Sequence, residues 1–251
     1  MDESLIKAAT ENFNLPHDVV ILPTGGIFYK SKKKSIKVGY LTATDENYLM
    51  SGLGNRENII MTLLRNKIYE HDLRPDELLE EDIQAVLLFL RNTSFGPEYR
   101  VILDDPKSGK QFEESIVLDE INIKKNSILP NEDGTFTTKL PVTGSIVKLR
   151  PLAFGELFEI DKIVENYPKG RVAPKVTMKL QRQIVELDGD TDMGKIALFV
   201  DQLPIGDSKF IRKFLKDNTP SLDLKKQVTT PSGEKIDVDI IFGVEFFRPF
   251  F

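Results

Sequence analysis

The apolar positions of the chain fall into helical stripes and short alternating runs. Ile59, Ile60, Leu63, Leu64 and Ile68 recur at three- and four-residue spacing, which predicts a helix over residues 55–69 with one buried face. A second stripe, Leu78, Leu79, Ile83, Val86, Leu87 and Leu90, predicts a helix that starts at Pro75, where a missing N–H costs nothing. Glu80, Glu81 and Asp82 are expected on its solvent side. Residues 99–103 and 115–118 then read as two strands around the turn formers Pro106, Ser108 and Gly109.

This helix-then-hairpin order returns near the end of the chain. A shift of 125 positions lays Phe89 on Phe214, Leu90 on Leu215, Arg91 on Lys216, Pro106 on Pro231 and Ile116 on Ile241. The parts upstream repeat more loosely. Residues 21–27 (Ile-Leu-Pro-Thr-Gly-Gly-Ile) are echoed at 139–147, which contain Leu140, Pro141, Thr143 and Gly144. The strand-like residues 36–40 match 147–150, and the short helix opened by Thr44, Asp45 and Glu46 matches a helix over 154–163. Residues 176–187 and 195–200 are read as a helical pair. A weak helical pattern also covers Leu5, Ala8, Ala9 and Phe13. The polar connection after Asp119, with Pro130 and the Glu132-Asp133-Gly134 turn, marks the join. The predicted fold class is therefore α+β: two related halves in tandem, each a small antiparallel sheet with β-hairpins packed by helices. The halves are an N-terminal repeat over 1–125 and a C-terminal repeat over 126–251 that ends in an aromatic tail.

Composition narrows the chemistry. The 251 residues are 40% hydrophobic and 29% charged, ordinary for a folded globular chain. The absence of cysteine rules out disulfides, thiol catalysis and thiolate metal sites, and two histidines leave little for imidazole chemistry. The net charge of −5 disfavours nucleic acid as a partner. No apolar run approaches the roughly 20 residues that cross a bilayer, and no leader pattern opens the chain, so the expectation is a cytosolic protein without membrane contact. No cofactor is expected.

Five features are candidates for chemistry or recognition. Gly25-Gly26 lacks the Gly-Lys-Ser/Thr continuation of a phosphate loop and reads as a turn. Lys32, Lys33 and Lys34 form the one notable basic cluster, either a solvated tip or a grip for an acidic partner. Asp188, Asp190 and Asp192 alternate as calcium-loop ligands do, but Met193 and Phe199 stand where such a loop needs glycine and glutamate; a turn that caps the next helix competes with a calcium-responsive module. Phe246, Phe247, Pro249, Phe250 and Phe251 either close the protein's own core or insert into a partner. Asp82, without a second placed acid or a base, reads as a surface residue rather than a catalytic one.

Residues 22–29 (Leu-Pro-Thr-Gly-Gly-Ile-Phe-Tyr), 38–46, 90–99 and the Phe-Phe-Arg-Pro of 246–249, taken in order, resemble the baseplate hub protein family of T-even-type contractile-tailed bacteriophages. The resemblance covers nearly the whole chain. Members of that family often carry paired cysteines in their hairpins; here Pro106, Gly109, Pro231 and Gly233 remain and the thiols do not, so metal binding is not carried over. The resemblance implies a non-enzymatic protein that builds the hub, either as a subunit or as an assembly chaperone absent from the finished virion. Its implied partners are other hub and tail proteins, with self-association as an alternative. Its implied place is the host cytoplasm during assembly and, for a subunit, the tail baseplate of the virion.

Overall fold

The computed structural model describes residues 16–50, 56–242 and 245–247; the helical pattern around Leu5 and Phe13 lies outside them. Strands β1 (His17–Ile21) and β2 (Ser35–Gly39) form an antiparallel hairpin with Val20 opposite Ile36. Strand alternation turns Val20, Ile36 and Val38 inward and leaves Val19 and Ile21 exposed. Helices α1 (Ala43–Met50), α2 (Arg56–Lys67) and α3 (Glu80–Phe95) follow. Pro75 opens a separate 3-10 turn, Pro75–Glu77, so the long helix begins later than the proline suggests. It ends where Gly96 takes a φ of 79° and Pro97 has no N–H to continue it. Hairpin β3 (Glu98–Asp104) and β4 (Gln111–Val117) comes next.

The second half keeps this order. Strands β6 (Phe136–Lys139) and β7 (Ile146–Leu149) pair antiparallel, and α4 (Phe154–Glu165), α5 (Lys175–Gln183), α6 (Met193–Asp201) and α7 (Ile205–Asn218) supply the helices. Residues 184–187, expected as the end of a helix, are instead strand β8 (Ile184–Leu187), the third strand beside β7. The β-branched pair Ile184-Val185 prefers that setting. Hairpin β10 (Lys225–Thr229) and β11 (Lys235–Asp239) closes the series. The mixed α+β class with small antiparallel sheets is as the sequence predicts.

One residue pairing across the two hairpins needs correcting. The Asp105 N–H bonds to the Lys110 carbonyl at 2.9 Å, whereas the Thr230 N–H bonds to the Glu234 carbonyl at 2.7 Å. The second turn is one residue shorter, so Ile116 corresponds to Ile240 rather than Ile241. Ile116 and Ile240 are both buried, and Ile241 is 67% exposed.

Apolar side chains gather in two clusters. One surrounds α2 and α3 and includes Leu22, Ile36, Leu64, Val86, Leu90 and Leu118, together with Leu222, Ile240, Phe242, Phe246 and Phe247 from the far end of the chain. The other holds Phe136, Val147, Leu149, Leu180, Ile196, Val200 and Ile211. Phe28 packs against both. The pieces cross over: β5 (Ile123–Lys124) pairs with β9 (Ser221–Leu222), and the Phe154 N–H at the start of α4 bonds to the Leu78 carbonyl at 2.7 Å. Gly155 makes that approach possible, since a Cβ there would lie 2.9 Å from Asp76.

Candidate functional site

Asp82 is a fully buried core residue, contrary to its expected place on the solvent side of the helix. It is the third residue of α3, where the first-turn amides favour an anion. Its carboxylate accepts the Thr24 N–H at 2.9 Å, the Thr24 hydroxyl at 2.6 Å and the Tyr29 hydroxyl, and the Tyr29 oxygen in turn accepts the Leu79 N–H at 2.9 Å. Burial raises the Asp82 pKa against these bonds, and burial beside Asp82 raises that of Tyr29. This turn also needs Gly26, with a φ of 73°, because a Cβ there would stand 2.0 Å from the Lys33 carbonyl.

The second half builds the same device. Asp207, third in α7 and fully buried, accepts the Val142 N–H at 2.8 Å, the Thr143 N–H at 2.9 Å and the Thr143 hydroxyl at 2.8 Å. Here burial is outweighed by the two amides and the hydroxyl, and the pKa is lowered. Each aspartate pins a Pro-Thr-Gly-type turn to a helix N-terminus; neither is aligned with a base for proton transfer.

The lysine tip is engaged within the chain. Lys33 pairs with Glu70 and Asp72, and hydrogen bonds to Asp72 and Glu70 raise its pKa. The Lys32 ammonium donates to the Ile27 carbonyl at 2.8 Å and the Glu132 carbonyl at 3.0 Å, tying the tip to the second half. Lys34 is exposed.

The three acidic residues of 188–192 point to separate tasks. Asp188, at a φ of 50°, accepts the Ile146 N–H at 2.7 Å. Asp190 pairs with Lys195 and accepts the Asp192 N–H at 2.9 Å, while Asp192 caps α6 through the Lys195 N–H at 3.0 Å. Among the described residues, no group of three acidic or imidazole side chains is placed to hold a metal ion.

Phe246 and Phe247 are 1% and 3% exposed and lie in the chain's own core; Pro249, Phe250 and Phe251 fall outside the described residues. Phe246 packs against Tyr99, Phe242 and Phe247. Beneath it sits Arg91, fully buried, whose guanidinium lies 5.3 Å from the Tyr99 ring centre and 5.5 Å from that of Phe246. Its nitrogens donate to the Gly96 carbonyl and, at 2.6 Å, to the Glu98 carbonyl.

The hairpins β3-β4 and β10-β11 stand side by side. Their tips touch where the Ser232 hydroxyl donates to Asp105 at 2.7 Å, and near their bases the Lys226 ammonium donates to the Glu120 carbonyl at 3.1 Å. Between them runs a groove of about 410 Å³. A second cleft, of about 340 Å³, lies at the start of α3 and is lined by Glu81, Leu152, Lys179, Arg212 and Lys216. Burial raises the Glu81 carboxyl there to about 7. Neither the tip contact nor Glu81 is visible in the sequence.

No curated protein and no solved structure matches the chain. A family model described as T4 bacteriophage base plate protein matches residues 27–248.

Proposed function

The chain belongs to this T4 bacteriophage base plate protein family, and on that premise we propose that it is a non-catalytic protein of the baseplate hub, acting through contacts with other hub and tail proteins. The family match over nearly the whole chain carries this reading. The side-by-side hairpins support it, because they present strand edges and an open groove rather than a reaction centre. On this reading the protein works in the host cytoplasm while tails assemble. Quantitative mass spectrometry of purified virions, counted against a known tail subunit, tests it. A fixed small copy number makes the chain a hub subunit. Absence from virions, with abundance in infected-cell extracts and defective baseplates when the gene is silenced, makes it an assembly chaperone. Normal tails in a phage that lacks the chain would sink both.

The repeats 1–125 and 126–251 enter the same proposal as units of descent. The matched aspartates of α3 and α7, each holding a threonine amide and hydroxyl, support it.

A further inference from the structure

The groove between the hairpins is lined by four consecutive residues of β4, 114–117, and four of β10, 226–229. Consecutive lining means that backbone, and not one face of side chains, forms its walls. In an antiparallel pair alternate residues bond to the partner strand and the rest point away. The Leu118 N–H bonds to the Pro97 carbonyl and the Asp105 N–H to the Lys110 carbonyl, so the even-numbered residues of β4 face β3 and Ser115 and Val117 face the groove. Likewise the Ile240 N–H bonds to the Leu224 carbonyl and the Thr230 N–H to the Glu234 carbonyl, which leaves Gln227 and Thr229 facing it from β10. The contacts at tip and base make β4 and β10 run in opposite directions. Among the described residues, neither strand has a second neighbour.

We propose that this groove takes up an extended segment of another baseplate protein as an added strand, joining the two hairpins into one five-stranded sheet in the order β3-β4-segment-β10-β11. The inference rests on the baseplate reading above. Hydrogen-bonding chemistry selects the occupant, because two facing edges whose N–H and C=O groups bond to no neighbouring strand among the described residues are complementary to an extended backbone and to little else. Side chains set its pattern. Inward positions would lie beside buried Ile116 and Val228, and outward positions beside Ser115, Val117, Gln227 and Thr229. The segment therefore alternates apolar residues with uncharged polar or β-branched ones over about four residues, or about 14 Å of strand. Glu114 holds the place in the free protein: its carboxylate accepts the Ser115 N–H at 3.2 Å, covering an edge donor that the segment would claim.

The test uses the full chain against an array of overlapping twelve-residue peptides from every virion protein of the same phage and from this chain. The expected result is a hit of the stated pattern from another virion protein that slows amide exchange at Ser115, Val117, Gln227 and Thr229. Proline at an outward position removes a groove donor without breaking a ladder bond. Ser115→Pro and Gln227→Pro should each weaken that peptide at least tenfold while the melting temperature changes little, and Glu114→Ala should tighten it severalfold, which a damaged fold would not do. No hit, a hit from this chain itself, protection elsewhere, or equal binding by folded proline variants would overturn the proposal. None of these outcomes alters the copy number in virions, so the baseplate reading stands or falls separately.

Discussion

Replacing Arg91 with methionine keeps a long apolar stem in the first core and removes a buried cation that pairs with no carboxylate among the described residues. The side chain donates to the carbonyls of Gly96 and Glu98, which shape the bend from α3 into β3, and lies against the rings of Tyr99 and Phe246. Two charge-assisted hydrogen bonds contribute about 1.5–3 kcal/mol each, and a desolvated cation–ring contact adds about 1–2 kcal/mol. Against this, burying a guanidinium costs several kcal/mol, as its lowered pKa reflects. The balance leaves Arg91→Met destabilising by about 2–3 kcal/mol, or a melting temperature lower by about 5–10 °C at this chain length. A double-mutant cycle with Phe246→Leu, read by denaturant unfolding, isolates the cation–ring part. The expected coupling is about 1–2 kcal/mol. Single effects that add to within about 0.5 kcal/mol, or a methionine variant more stable than the parent, would refute the argument that Arg91 locks the C-terminal aromatics onto the first core.

Three further predictions follow from single residues. Asp207→Ala strands two amides and a hydroxyl, so it should cost about 3 kcal/mol at pH 7. Because the folded pKa of Asp207 is lowered, that contribution is present above about pH 4 and fades as pH falls through the folded pKa; melting curves in which the deficit persists unchanged to pH 2 would contradict it. Glu81 has the opposite sign: its pKa is raised to about 7, so its protonated form favours folding at low pH and that advantage is lost as pH rises through about 7. Glu81→Gln should match the parent near pH 4 and exceed it by about 1–3 kcal/mol at pH 8, with equal stability at both pH values as the refuting result. Millimolar calcium should leave the melting temperature unchanged, since Asp188, Asp190 and Asp192 serve three separate local bonds; a rise that grows with calcium would revive the ion-binding loop.

The helical stripes were legible because burial of one helix face imposes a spacing that the sequence must carry. Ile59, Leu63 and Leu64 are buried as the stripe requires. Residues 184–187 were not legible, because Ile184, Val185 and Leu187 fit a helix end or a short strand equally well and the neighbouring β7 decides. Asp82 was misplaced for a different reason. Acids in a first helical turn are usually solvated, and nothing local shows that a turn nearly sixty residues earlier closes over this one. The signal was nevertheless present at a distance: Asp82 and Asp207 are 125 positions apart, the same shift that lays Leu90 on Leu215, and each half also contains a Pro-Thr-Gly-type turn. Lys33 was hidden similarly, since Glu70 and Asp72 come from the loop after α2, nearly forty residues on.

The two hairpins leave their preceding helices in different ways. Arg91 and Lys216 occupy matched positions one helical turn before a hairpin, yet Arg91 is buried and Lys216 is exposed beside the Glu81 cleft. A planar guanidinium can hold the Gly96 and Glu98 carbonyls together and so fold β3 back onto its own helix; an ammonium on a flexible stem offers no such fork. The end of α7 is finished differently. The Thr219 hydroxyl bonds to the Leu215 carbonyl at 2.8 Å, and the Asn218 side chain accepts the Ile128 N–H at 2.9 Å. The chain then runs outward, and β9 pairs with β5 across the connection between the halves. The second hairpin consequently lands on the first core, where Leu222, Ile240 and Phe242 are buried, beside a hairpin already there.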